Sequence, residues 1–159
     1  MNYGVLENEI TALLNAYFIA NAVDHLFEAI PIPQNQSEQE RPFLKGTISV
    51  QYYKSDYQTS SNINHVSQPE TVTIRFTFQT TNLRMADGFY NLLDFSKKCL
   101  LGYKPVDAVT RLVIDVYDLL FFENNTFQPY LQMKADFMNV QVLDDYEQPQ
   151  GIFKLATIK

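Results

Sequence analysis

Apolar and polar residues alternate most cleanly over residues 71–79, TVTIRFTFQ, where Val72, Ile74, Phe76 and Phe78 take one parity and Thr71, Thr73, Arg75, Thr77 and Gln79 the other. A period of two predicts a β-strand with one buried face. Residues 43–54 repeat the pattern, Ile48, Val50 and Tyr52 against Thr47, Ser49 and Gln51, and the two strands are expected to pair antiparallel. The connection between them, residues 55–69, is rich in Ser, Asn, Gln and Thr and carries no catalytic-looking cluster. A long polar connection between well-patterned strands predicts an interaction arm. Tyr53 and Tyr57 at its base, with Asn62, Asn64 and His65 inside it, are candidate contacts to another protein.

Two stretches carry helical spacing instead. Over residues 4–19, Val5, Leu6, Ile10, Leu13, Leu14 and Tyr17 fall on one face, with Glu7, Asn8, Glu9 and Thr11 opposite and the acids set to complement the helix dipole. Over residues 83–101, Met85, Phe89, Leu92, Leu93, Ser96, Cys99 and Leu100 share a face; Asn82 is the expected cap, Gly102 the left-handed stop, and Pro105 a block. The segment VDHLFEAIPI reads as a short strand ended by Pro31 and Pro33, covered on both sides or lying at an edge. Residues 108–117, AVTRLVIDVY, fit a buried strand or a short helix, and strand or irregular structure is the expectation. Residues 119–122 and 130–143 read as a hairpin turning near Asn124 and Asn125, two further candidate contacts. The parity change between Phe137 and Met138 predicts a bulge, and residues 144–159 a C-terminal edge strand or docking arm.

The fold class that follows is α+β: one domain over residues 1–159, a mainly antiparallel sheet with two principal helices packed on it, and a long hairpin and polar loop projecting. An apolar content of 46 % is enough for a core without metal or disulfide staples. The one cysteine cannot bridge internally and fits a reducing compartment, and the opening MNYGVLENEI lacks the pattern of a secretory leader. No apolar run is long enough to span a bilayer. With a net charge of −6 and basic residues scattered singly apart from Lys97-Lys98, stable nucleic-acid binding is disfavoured.

Candidate chemistry is sparse. His25 and His65 are far apart, so no metal set forms around them; His25 is expected as a partly buried structural residue. Cys99 sits near a helix C-terminus on the apolar face, where neither dipole nor burial favours a thiolate. Asp144, Asp145 and Glu147 precede Pro149 as a solvated bend. The five glycines form no phosphate-cradling loop, and there is no GxSxG elbow. The expectation is a non-enzyme with no cofactor and no metal.

The N-terminal helix, the strand pair with its polar excursion, the helix running into Leu100-Leu101-Gly102-Tyr103-Lys104-Pro105, and the aromatic DLLFF strand leading into a hairpin together resemble the tail terminator proteins of Mu-like phages and prophages. The resemblance implies a small α+β subunit that forms a sixfold ring on the head-proximal end of the tail tube. That ring stops tube polymerisation and joins the tail to the head connector. Its partners would be further copies of itself, the tail tube protein and the connector protein, with DNA passing through an acidic lumen that does not hold it. Such a subunit is made in the bacterial cytoplasm and ends in the virion tail. The alternative is a small-molecule-binding or enzymatic α+β domain whose helix-on-curved-sheet pocket is lined by Phe76, Phe78, Phe89 and Tyr90.

Overall fold

The computed structural model describes residues 2–33, 44–58, 66–118 and 129–141. Within them run α1 (Tyr3–Ala20), β1 (Phe27–Pro31), β2 (Gly46–Tyr57), β3 (Val66–Gln79), α2 (Phe89–Leu100), β4 (Val113–Asp118) and β5 (Tyr130–Gln141). The strands form one sheet in the order β1-β2-β3-β5-β4, antiparallel throughout except for the parallel β1–β2 pair. The expected α+β class holds.

Period two in β3 does what it predicts: Val72, Ile74, Phe76 and Phe78 are buried with Ile48 and Val50 from β2 and Leu131, Met133, Ala135 and Phe137 from β5. Both helices lie on that face. Helix α1 contributes Leu6, Ile10, Leu14 and Phe18, and α2 contributes Phe89, Leu92, Leu93 and Leu100. Rings seal the layer, with Phe78 and Phe89 edge-to-face at 5.5 Å and Phe18 and Phe27 at 5.8 Å.

Several elements depart from the sequence reading. In α1 the buried stripe includes Thr11 and Phe18 while Val5 is exposed, because the Thr11 hydroxyl satisfies itself on the Glu7 carbonyl at 2.7 Å. Neither acid of α1 lies in its first turn. Glu7 instead accepts from the Tyr52 amide at 2.6 Å, and Glu9 from the Tyr103 hydroxyl at 2.6 Å. Asn2 is the N-cap, accepting from Gly4 and Val5. His25 is exposed in the turn before β1 rather than partly buried within a strand.

Helix α2 begins at Phe89, not near residue 83. Asn82 is spent on a preceding turn, its side-chain oxygen accepting from Met85 N at 3.1 Å and its carbonyl from Phe89 N at 3.1 Å. The turn closes so tightly on Gly88 that a Cβ there would lie 2.5 Å from Asn82 Oδ1. Met85 is consequently exposed. At the other end the expected stop is present: Gly102 has φ +81° and its amide donates to the Leu112 carbonyl at 3.0 Å.

The connection read as residues 55–69 is largely strand where it is described, since β2 runs to Tyr57 and β3 begins at Val66; residues 59–65 lie outside the described residues. The hairpin's first arm is β4 at Val113–Asp118, with Asp118 opposite Tyr130, and residues 119–122 with Asn124 and Asn125 are not described. No bulge occurs near Phe137: β3 and β5 stay in register from Thr77↔Tyr130 to Val66↔Gln141. Met138 and Val140 are exposed apolar residues on the outer face, and that is why the alternation looked broken. The bulges fall instead between Tyr52 and Lys54 and between Ile114 and Val116. Residues 144–159 are outside the described set.

Candidate assembly surface

With both helices on one side, no described helix covers the opposite face of the sheet. Strand register sets Gln51, Arg75, Gln132 and Val116 in one row across it. The bulge in β2 turns Tyr53 onto this face, where its ring lies 3.6 Å below the Arg75 guanidinium; the Tyr130 ring lies 4.7 Å from the same group. With its amide oxygen towards the guanidinium, Gln132 accepts from Arg75 Nη2 at 2.8 Å and Nε at 3.1 Å. Beside this cluster Lys134 pairs with Asp115 at 3.0 Å and Lys54 with Asp56 at 3.3 Å. Asp136 accepts from Thr71 at 2.7 Å. The Thr73 hydroxyl is buried without a hydrogen-bond partner among the described residues. A stacked arginine held by an amide presents a flat, pre-ordered polar surface of the composition that protein contacts favour. It offers neither a nucleophile nor a base.

Tyr57, the other predicted tyrosine, turns to the helix side. Its hydroxyl meets that of Tyr3 at 3.1 Å, and Tyr3 donates to Glu70 Oε1 at 2.7 Å. Glu70 is almost fully buried; it also accepts from the Ser55 hydroxyl and, through Oε2, from Asn139 Nδ2 at 2.6 Å. Burial alone would raise its pKa, but these donors outweigh it and hold the carboxyl below its ordinary value. The Tyr3 phenol is pushed up, first by its hydrogen bond with Tyr57 and then by Glu70. The cluster ties α1, β2, β3 and β5 together as a structural knot.

The two outer strands differ. On β1, Asn15 of α1 places its amide along the strand, its Nδ2 donating to the Ala29 carbonyl at 2.9 Å and its Oδ1 accepting from the Ala29 amide at 2.8 Å. That is the pairing another strand would make. Strand β4 pairs with β5 and, among the described residues, with no strand beyond it. Its Val113, Ile114, Val116 and Tyr117 are 55, 40, 40 and 43 % exposed. Val113 and Val116 share the outer face with Lys134 and Gln132; Ile114 and Tyr117 share the helix face, where Tyr117 stacks on Phe89 at 6.3 Å.

Of the residues singled out in the sequence, Tyr53 alone lies in the outer-face cluster. Asn62, Asn64, His65, Asn124 and Asn125 lie outside the described residues, and Tyr57 belongs to the Glu70 knot. Arg75, Tyr130, Gln132 and the β4 residues were missed. The Cys99 thiol is pushed up to about 11 by burial, which suits a packing residue. Phe76, Phe78 and Phe89 are wholly buried in the core while Tyr90 is half exposed, so these four do not line a common pocket. Among the described residues no three His, Cys, Asp or Glu side chains gather as metal ligands, and no helix is long and apolar enough to cross a membrane.

The family model described as Gp37 protein matches residues 26–155. No curated protein matches the chain. Among solved structures, a chain of one described as "Virion of native gene transfer agent (GTA) particle" is similar at 16 % identity and a TM-score of 0.41, over 80 % of this chain and 86 % of that one.

Proposed function

The chain belongs to the Gp37 protein family, and from that premise we propose that it is a non-enzymatic structural subunit of a phage or prophage tail. Its specific role is that of a terminator, which caps the head-proximal end of the tail tube, stops its growth and joins the tail to the head connector. The observation that carries the reading is the composition of the sheet's outer side: one face presents the Tyr53–Arg75–Tyr130 stack, and the β4 strand presents the partly exposed apolar residues Val113, Ile114 and Val116. The sequence resemblance to tail terminators supplies the kind of assembly that such surfaces would serve. The proposed partners are further copies of the chain in a hexameric ring, the tail tube protein and the connector protein. Assembly takes place in the host cytoplasm, before the subunit enters the virion tail. The net charge of −6 suits a ring through which DNA passes without sticking.

The alternative of a ligand pocket loses its proposed lining, because three of its four aromatics are spent in the core. The test is genetic. A phage lacking this gene is expected to make tails of uncontrolled length, counted by negative-stain microscopy, and tails of normal length joined to heads would overturn the reading.

A further inference from the structure

We propose that the segment following α2, residues 101–113, is a docking surface for a second copy of this chain, and that it seats on that copy's turn between α1 and β1, residues 19–28. The contact deepens the ring reading above and rests on it for closure into a ring; the two surfaces are read from the subunit itself.

The segment is pinned to the rest of the molecule yet turns aliphatic side chains outward. The Gly102 amide donates to the Leu112 carbonyl at 3.0 Å and the Leu112 amide to the Tyr103 carbonyl at 2.7 Å, which fastens its two ends to each other. Between them the Tyr103 hydroxyl and the Val106 amide donate to Glu9 of α1 at 2.6 and 3.0 Å, and the Val109 amide to the Asp136 carbonyl of β5 at 2.6 Å. Pro105, Ala108 and Leu112 are buried, whereas Leu101, Val106, Val109 and Val113 are each more than half exposed. A loop fixed in this way has little ordering entropy left to lose on binding, and its outward aliphatics gain by being covered.

Its charge points to the partner. Residues 97–111 hold Lys97, Lys98, Lys104 and Arg111 against one acid, Asp107, a net +3 in a chain of −6, which leaves −9 on the remainder. Lys97 lies over the Tyr117 ring and Lys98 pairs with Asp94. Lys104 and Arg111 are exposed among the aliphatics, Arg111 braced by its bond to the Gly102 carbonyl at 2.7 Å. The α1–β1 turn is the complement. Residues 19–28 contain Asp24 and Glu28 and no lysine or arginine, with Ile19 and Asp24 exposed. This turn is also held, by the Val23 amide on the Phe18 carbonyl at 3.0 Å and by Lys45 Nζ on the Asp24 carbonyl at 2.7 Å.

The two surfaces lie at diagonally opposite corners of the sheet. The turn leads into Phe27 at the start of β1, the end of the sheet where β4 finishes. The segment leads into Val113 at the start of β4 and reaches Phe137 through Ala108, towards the other end and on the other flank. Corners that face apart pair head-to-tail, each copy giving one and accepting one, which is the kind of contact that closes rings. Because Asn15 occupies the Ala29 backbone, the β1 corner is met by side chains and not by an added strand.

The test is a charge exchange in the full chain. Lys104→Glu with Arg111→Glu reverses one corner, and Asp24→Lys with His25→Lys reverses the other, each checked for folding by circular dichroism. In sedimentation equilibrium at low salt the parent is expected to self-associate and each double variant alone to do so about tenfold more weakly. Mixed one to one, the two are expected to recover to within roughly threefold of the parent, since every junction again sets acid against base. Lys104→Glu alone, which leaves the Arg111 brace in place, is expected to lose about threefold. A parent that stays monomeric to millimolar concentration, variants that associate as the parent does, or a mixture as weak as its components would each overturn the inference. If the exchange fails while loss of the gene still gives overlong tails, the corner contact fails and the terminator reading stands. If it succeeds while tail length stays normal without the gene, the contact stands and the tail reading fails.

Discussion

The sheet ends in two outer strands of similar length, and they have been treated in opposite ways. On β1 a single helix residue, Asn15, takes up both polar groups of Ala29, and Pro31 closes the strand. Helix α1 thus does two jobs, burying Leu6, Ile10, Leu14 and Phe18 and acting as a substitute neighbour for the sheet. Strand β4 has no such neighbour among the described residues and exposes apolar side chains on both faces. An edge left open by neglect would be an aggregation hazard. An edge that no described strand pairs, set opposite one where Asn15 occupies the Ala29 backbone, gives the two sides of the sheet different characters.

Removing the closure should have the largest effect. Asn15→Leu keeps the side chain's bulk and removes both hydrogen bonds to Ala29, leaving a largely buried amide and carbonyl unpaired. The expected cost is about 2–4 kcal/mol in urea unfolding, with faster hydrogen exchange at the Ala29 amide. At concentrations where the parent stays dispersed, the variant should also self-associate. A variant that unfolds like the parent would show that Asn15 does not close the edge.

Acid should loosen the same side of the molecule more gently, because Glu70 fastens the start of α1 through Tyr3. Its folded pKa lies below its unfolded one, which is about 4.3 for an ordinary glutamate. Its stabilising share is therefore complete above that value and is lost as pH falls through the lower, folded value. Unfolding curves from neutral pH into acid should show a slope that Glu70→Gln reduces, since the amide does not titrate, at a cost of about 1–3 kcal/mol at neutral pH for the donor it sets against Asn139. If both proteins lose stability in parallel, the Glu70 knot is not what acid releases.

The closed half of the molecule was partly legible in the sequence. TVTIRFTFQ declared its buried face, and Gly102 its helix stop. Two polar residues on apolar tracks were there to be read. Asn15 interrupts the stripe of Leu13, Leu14, Tyr17 and Phe18, and Glu70 continues the inward parity of Val72, Ile74, Phe76 and Phe78. Glu70 is buried and Asn15 partly so, and each demands partners, although the partners themselves lie far off in the chain. The open half was harder to read. In VIDVYD the bulge at Asp115 resets the phase, so neither parity is purely apolar, and the neighbouring DLLFF looked the better strand. Met138 and Val140 are apolar yet outward, and alternation alone cannot tell exposure from a shifted register. The Arg75 stack depends on the β2 bulge turning Tyr53 outward, a tertiary event with no local sequence mark.

The outer face gives a smaller test. Thr73 lies beneath it with a hydroxyl that has no partner among the described residues, so Thr73→Val, which trades that hydroxyl for a methyl, is expected to raise stability by about 1 kcal/mol. A loss instead would mean that the hydroxyl is served by solvent or by a partner.

The smallest expected effect on folding belongs to β4, and its smallness is the point. Val116 is exposed and its side chain contributes little to the monomer's core, so Val116→Lys should move the urea midpoint by no more than about 0.5 kcal/mol. The same change puts a charge on the β4 strand, the device by which natural edges resist pairing. Assembly measured by sedimentation velocity, or by counting capped tails from a complemented deletion phage, should therefore fail while the fold stands. On β1 stability and closure are coupled through Asn15; on β4 they should separate. A Val116→Lys chain that still assembles would remove β4 from the interface and leave the Tyr53–Arg75–Tyr130 face as the surface that has to carry it.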